Sequence, residues 1–240
     1  MTHGAEAAGP PSARRERNAD ATKARLLAAA ESEFAAKGFD GARLGNIAKA
    51  AGVQQALIHH YFADKEGLYR EVLARGLALV THESWDILAR FASPAAAKKA
   101  RAAATREPAL GNLRDITAAF VDVLVRFFSE HAAFLAILRH EGQPGEEGSA
   151  VAPAAEALRK SARPVVLALV RRIEEMKAAG EVRKDLDARH LCVSVMAMAC
   201  FPLQESRMLS AFWSIDWHSP AVLEARKREI VAMVLARAAP

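Results

Sequence analysis

The sequence predicts an all-α protein, and three observations support that prediction. Apolar residues recur at spacings of three and four along most of the chain after Asp20, alanine is abundant, and no Asn-Gly or Asp-Gly pair separates two strand-like runs. The chain has 240 residues, of which 52% are hydrophobic, so it can bury a core without disulfides. Cys192 and Cys200 would lie about 12 Å apart along one helix, which is too far for a bond.

Residues 1–18 have the composition of a flexible basic arm. They are small and polar, contain proline and include Arg14, Arg15 and Arg17. The arm could be a solvated tail or could grasp nucleic acid, and the sequence favours neither. No apolar run in the arm could serve as a signal peptide, and no later run reaches the ~20 residues that span a bilayer. The protein is therefore expected in the cytoplasm, with no membrane partner.

Three short helices are expected next, in a domain covering residues 19–66. The first runs from an Asp20 cap to Lys37, where Gly38 can stop it in a left-handed conformation. The second ends at Gly52 after barely two turns. Its inward positions follow helical spacing: Leu44, Ile47, Ala48 and Ala51.

The third helix is expected from Gln54 to Phe62, and Asp64 caps a longer helix that begins at Lys65. Two short helices joined by a glycine turn form a helix-turn-helix, whose second helix fits the major groove of DNA. A glutamine such as Gln55 can read adenine edges, and an apolar side chain such as Leu57 can contact thymine methyl groups. Lys65 stands where a helix N-terminus can bind a phosphate.

Two segments carry the strongest signal, namely IAKAAGVQQALIHHYFADKEGLY at residues 47–69 and the preceding ATKARLLAAAESEFAAKGFDG. Their close resemblance is to the signature of the TetR family of one-component transcriptional regulators. It implies contacts to bases or phosphates from these positions: Arg43, Gln54, Gln55, Ala56, Leu57, His59, His60, Tyr61 and Lys65. The sequence departs from the family at Ala42, where a capping Thr is usual, at Gln54, where Ser is common, and at His59, where Tyr is common.

His59 and His60 also raise the question of a metal site. Adjacent helical residues point about 100° apart, and no further ligand with suitable spacing follows, so DNA contact is the favoured interpretation and no metal is expected. The sequence contains no nucleophile elbow, zinc-protease motif or phosphate-binding glycine loop. Neither catalysis nor a cofactor is therefore expected.

Residues 67–240 are expected to form a larger helical domain for effector binding and dimerisation. A helix starting at Asp185 or Asp187 and one starting at Ser219-Pro220 are the clearest of its elements. Aromatic, sulfur and polar residues on its helices are candidates for an effector site, although core packing is the simpler interpretation of any one of them. The candidates are Phe120, Phe127, His131, Phe134, His140 and Met196.

A single helix-turn-helix reads few base pairs, so a homodimer on a palindromic operator is expected. The apolar segments Leu186–Pro202 and Pro220–Ala238 are the predicted interface, with Ile230 and Val234 among its residues. The resulting hypothesis is a repressor that an unidentified small-molecule effector releases from its operator by shifting the helix after Lys65. An all-α enzyme or cofactor-binding bundle with an incidental helix-turn-helix, and a helical protein-interaction module, remain as alternatives.

Overall fold

The computed structural model describes residues 11–92, 111–141 and 151–239. These residues form ten α-helices and no strand, so the all-α prediction is confirmed. The helices are α1 (Pro11–Gly41), α2 (Leu44–Ala51), α3 (Ala56–Phe62), α4 (Lys65–Ala92), α5 (Gly111–Glu130), α6 (Ala132–Glu141), α7 (Val151–Ala178), α8 (Ala188–Gln204), α9 (Ser206–Trp213) and α10 (Pro220–Ala238). The chain divides into two compact units, Met1–Val72 and Leu73–Pro240.

Helix α1 begins earlier than the sequence indicated. It starts at Pro11, so the expected cap at Asp20 is wrong: Asp20 lies inside the helix. The intervening residues are mostly Ala, Arg and Glu, which favour helix and extend it backwards from the amphipathic part. The segment from Pro11 to Asn18 is thus helical, and residues 1–10 of the expected arm lie outside the described residues. Gly38 has φ 66° as predicted, and helical structure continues beyond this kink to Gly41.

The core of the first unit is built from aromatic and aliphatic side chains of α1 to α4. Phe34 and Tyr69 are fully buried, and their rings meet edge to face with centroids 4.7 Å apart. Phe39 packs on the same tyrosine ring at 5.0 Å. Asp64 accepts a hydrogen bond from the Gly67 amide at 2.7 Å, which confirms it as the cap of α4. The short helix α2 packs against α1, and α3 contributes the buried Ile58 and Phe62 to the core.

In the second unit, α5 packs against α8 and α10. One cluster of its core contains Ile87, Ile116, Phe120 and Val165, and another contains Ile173, Met176, Leu186 and Leu235. The Asp187 carboxylate accepts from the amides of Arg189 and His190, so the predicted cap of α8 is confirmed. Ser219 and Pro220 occupy the N-cap and first positions of α10, again as predicted.

Charged side chains connect three helices of this unit. Glu83 of α4 pairs with Arg126 of α5, whose Nε lies 3.7 Å from Asp122. The Lys227 ammonium of α10 donates to Asp122 at 2.7 Å. Each pair is partly exposed and contributes little to stability alone, but a network fixes the lateral register of the helices that it joins.

Candidate nucleic-acid interface and ligand cavity

A glycine turn sets the angle between α2 and α3. Gly52 has φ 66° and ψ 38°, a left-handed conformation that glycine adopts without a steric penalty. Its amide donates to the Lys49 carbonyl at 3.2 Å, and the Val53 amide donates to the Ala48 carbonyl at 3.0 Å. Ile47 of α2 and Ile58 of α3 are both fully buried. The two helices therefore share a core on one side and leave the opposite side of α3 exposed.

The exposed side of α3 carries most of the side chains that the sequence singles out. Helix α3 begins at Ala56 rather than Gln54, with Gln55 at its N-cap, because residues 54 and 55 belong to the turn. Gln54, Gln55, Ala56, His59 and His60 are exposed. Leu57 and Tyr61 are half-buried, in contrast to the buried Ile58 and Phe62. The structure thus brings the predicted α3 contacts together on one surface.

The His59 side chain contacts the backbone at the C-terminal end of α3. Its Nδ1 lies 2.9 Å from the carbonyl oxygen of Ala63, a group that can only accept, so Nδ1 carries the proton in this contact. Nε2 of the same ring is then the atom left to face a partner. The neighbouring His60 ring packs edge to face on Tyr61 with centroids 5.1 Å apart. These contacts within α3 and its C-cap fix the orientation of both imidazole rings.

The N-terminus of α2 is held by a side chain from α1. Its N-cap is Arg43, which is exposed, and Ala42 is buried just before it. Arg43 makes no side-chain cap; instead the Glu33 carboxylate accepts from the Arg43 amide at 3.3 Å and from Asn46 Nδ2 at 2.9 Å. The bond from Asn46, followed by the Arg43 contacts, lowers the pKa of Glu33 despite opposing desolvation. The sequence does not reveal these two hydrogen bonds, because they join residues ten or more positions apart.

Lys65 stands at the start of α4 and is partly engaged within the first unit. Its ammonium donates to the Asp40 carbonyl at 3.2 Å and lies 4.8 Å from the centroid of the Phe39 ring. An ammonium has three donors, so this arrangement leaves donors for a phosphate. The two contacts fix the position of a charge that would otherwise move on a flexible stem.

The second unit contains an apolar cavity of about 120 Å³. Side chains from α4, α5, α7, α8 and α10 line it, including Phe120 and Met196 of the predicted effector site. The other four predicted residues do not line this cavity. Phe127 packs against His131 at 4.7 Å and Phe134 at 5.6 Å, while His140 is half-buried near the end of α6.

Five polar or ionisable residues line the cavity, and none of them was an effector-site candidate from the sequence: Thr81, Ser84, Thr117, Arg172 and Cys192. The hydroxyls of Thr81 and Ser84 donate to carbonyls of their own helix, at Leu77 (2.8 Å) and Val80 (2.7 Å). Burial raises the pKa of Cys192 to about 11, so its thiol stays protonated near neutral pH. A polar residue interrupting an apolar helical face is the signal that could have pointed to these positions.

Within the described ranges, no cluster of three or more His, Cys, Asp or Glu residues could hold a metal ion. No helix there combines the length and the apolar character needed to cross a bilayer.

Known sequence families match both units. Residues 26–72 match the family described as "Bacterial regulatory proteins, tetR family", and residues 96–234 match "Tetracyclin repressor-like, C-terminal domain". The HTH-type transcriptional repressor NicS of Pseudomonas putida is 29% identical over 206 residues, covering 84% of this chain and 85% of that protein.

Solved regulators share the fold over most of the chain. The ketosteroid transcriptional regulator KstR2 of Mycobacterium tuberculosis superimposes with a TM-score of 0.59 at 17% identity, covering 91% of this chain and 95% of that chain. FadR of Bacillus subtilis, in complex with stearoyl-CoA, superimposes with a TM-score of 0.57 at 16% identity, covering 89% of this chain and 97% of that chain. Fold and surface define a helix-turn-helix transcriptional regulator that binds DNA. The chain belongs to the TetR family.

Proposed function

We propose that this chain is a homodimeric repressor that a small molecule releases from a palindromic operator. In this proposal residues 19–66 form the DNA-binding domain and residues 67–240 the domain for effector binding and dimerisation. The protein acts in the cytoplasm and binds its partners without catalysing a reaction. The likeness to NicS, a transcriptional repressor by name, supports repression as the sign of control.

The observation that carries the proposal is the exposed surface of α3. Gln55 and Ala56 are exposed at the start of the helix, where a recognition helix meets base edges, and the buried Ile58 anchors the opposite side. Arg43 is exposed at the start of α2, and Lys65 is fixed at the start of α4. These positions supply the two kinds of contact that a specific complex needs, with bases and with phosphates.

The direct test is DNA binding by the purified full chain. Fragments that include the DNA around its own gene are used in gel shift, and a selected site is then varied one base at a time. Gln55→Ala should relax the preference at one position of each half-site by about 1–3 kcal/mol. Gln204→Ala, in the second unit, is the control and should leave the preference unchanged. Failure of the wild-type chain to bind any fragment would refute the proposal.

The proposed dimer uses apolar side chains that a protomer leaves exposed. Val193, Ala197 and Phe201 are exposed at four-residue spacing along α8, with Val193 at 66% and Phe201 at 48%. Ile230 and Val234 are buried inside the protomer, so their prediction as interface residues is corrected: their side chains complete the core. The proposed surface therefore centres on the exposed side of α8, with α10 contributing outward residues such as Met233.

Sedimentation equilibrium tests the dimer. Val193→Glu would bury a charge in the interface and should shift the chain toward monomer. Leu79→Glu is the matched control, because Leu79 is an equally apolar exposed residue on α4. A Val193→Glu chain that dimerises like wild type would place the interface elsewhere.

Effector control is proposed to act through α4. The helix carries Lys65 at its start and contributes Val80, Thr81 and Ser84 to the cavity wall. A ligand can shift the operator equilibrium only if it binds two arrangements of this helix with different affinity. A compound that prefers the arrangement released from DNA should raise the melting temperature of the free chain and weaken operator binding by a factor set by that difference in affinity.

A further inference from the structure

The wall of the cavity in the second unit is apolar except at a few positions, and one of these is charged. Arg172 of α7 is the only charged residue among the described residues that line it. We propose that the cavity binds a small apolar molecule bearing a carboxylate, and that Arg172 binds that carboxylate. This inference rests on the proposed function in one respect, namely that the cavity is the effector site.

Arg172 has a donor without an acceptor. Its side chain is only 23% exposed, and its Nε is buried with no hydrogen-bond partner. Nη1 lies 3.2 Å from Glu175 Oε2 on the same helix, so the guanidinium is only partly satisfied. A buried donor without an acceptor is unfavourable, and the penalty is larger on a charged group. A ligand oxygen that accepts a hydrogen bond from Nε would remove this penalty.

The other lining groups favour an acid over other polar ligands. No Asp or Glu is found among the described lining residues, so an ammonium ligand would meet Arg172 without a counter-charge. Thr81 and Ser84 already donate to backbone carbonyls, and Cys192 supplies only a neutral thiol. The guanidinium is thus the strong donor available, and a carboxylate is the acceptor that matches it in charge and geometry.

The size of the cavity limits the apolar body of the ligand. Its volume of about 120 Å³ is close to that of an engineered protein cavity of about 150 Å³ that binds benzene. One ring or a short alkyl chain therefore fits without rearrangement. Val166 and Met196 line the cavity and are 40% and 39% exposed, which marks the side where it approaches the surface.

Calorimetry on the full-length chain tests the proposal with matched probe pairs. Benzoate, phenylacetate and hexanoate are compared with benzamide, phenylacetamide and hexanamide, and benzylamine serves as the cation. At least one acid should bind about tenfold or more tightly than its amide, and benzylamine should not bind. Arg172→Gln should reduce the affinity for that acid to the level of the amide. Arg171→Gln, an exposed neighbour on the same helix, should retain the preference.

The proposal is overturned if no acid in the panel binds more tightly than its amide, or if Arg172→Gln retains the preference. Should Arg172→Gln fail to fold, the comparison of acid and amide affinities for the wild-type chain still tests the proposal. Operator binding without ligand is measured in parallel. Loss of operator binding with an intact acid preference would refute the repressor function alone, whereas normal operator binding without an acid preference would refute the carboxylate site alone.

Discussion

Glu33 of α1 and Asn46 of α2 are joined by a hydrogen bond of 2.9 Å between the carboxylate and the side-chain amide. The same carboxylate accepts from the Arg43 amide, the N-cap amide of α2. A short helix without a side-chain cap is thereby stabilised from the helix that precedes it. The position of α2 against α1 depends on this contact as well as on the core.

Replacing Glu33 by Ala should lower the free energy of unfolding by about 0.5–1 kcal/mol, since the bonds are at a partly exposed site. The effect should depend on pH. Because the folded pKa of Glu33 lies below the usual 4.5, its contribution is complete above that value and is lost as pH falls through the lowered pKa. Urea unfolding at pH 7 and at a series of pH values descending below 4.5 checks this, with Glu31→Ala as the control. A difference from wild type that stays constant across the whole series would contradict the assignment.

Replacing Lys65 by Met should remove one phosphate contact and keep an unbranched side chain beside Phe39, where the ammonium now lies. The slope of log K against log salt concentration for operator binding should then decrease by about one counterion. Lys160→Met, in the second unit, is the control for the loss of one positive charge. An unchanged slope for Lys65→Met would show that the ammonium stays with the Asp40 carbonyl in the complex.

Replacing Gly76 by Ala should destabilise the second unit. A Cβ at this position would lie 2.3 Å from the ring of Phe134, which is 2% exposed and cannot move freely. Overpacking costs about 1–3 kcal/mol, against roughly 1 kcal/mol gained in helix propensity. Thermal unfolding of Gly76→Ala, Phe134→Leu and the double variant should show that the smaller side chain relieves the clash. Strict additivity of the two effects would argue against direct contact.

Cys192 should be almost unreactive in the native chain. Its pKa of about 11 leaves on the order of one thousandth of the thiol ionised at pH 8, compared with about a tenth for an unfolded thiol with the usual pKa of 9.0. Alkylation by iodoacetamide in a Cys200→Ser background should therefore be roughly a hundredfold slower than in urea, and should accelerate as pH approaches 11. Equal rates in the two conditions would show that the cavity wall opens freely.

The elements that the sequence predicted correctly depend on local chemistry. Gly52, the Asp64 cap, the Asp187 cap and the Ser219-Pro220 start all act within a few residues of their own position. The predicted start of α1 at Asp20 is wrong because a good capping residue does not mark the first turn when the residues before it also favour helix. Local signals mark where a helix can begin, and neighbouring propensity decides whether it does.

The cavity could not be read from the sequence for a different reason. Its wall combines residues from five helices, and only Phe120 and Met196 were among the candidates. Arg172 lies next to Arg171 in the chain, and such a pair is typical of a solvated helix face. Only the packing of α7 shows that Arg171 is exposed while Nε of Arg172 is buried.

The aromatic residues are divided between the two units. Both tyrosines, Tyr61 and the buried Tyr69, belong to the first unit, and all three tryptophans, Trp85, Trp213 and Trp217, belong to the second. Each half of the chain consequently has its own intrinsic chromophore. Fluorescence excited selectively from tryptophan reports on the half that contains the cavity. Tyrosine fluorescence originates in the half that reads DNA. Whether the two halves melt together can be followed in one unlabelled sample.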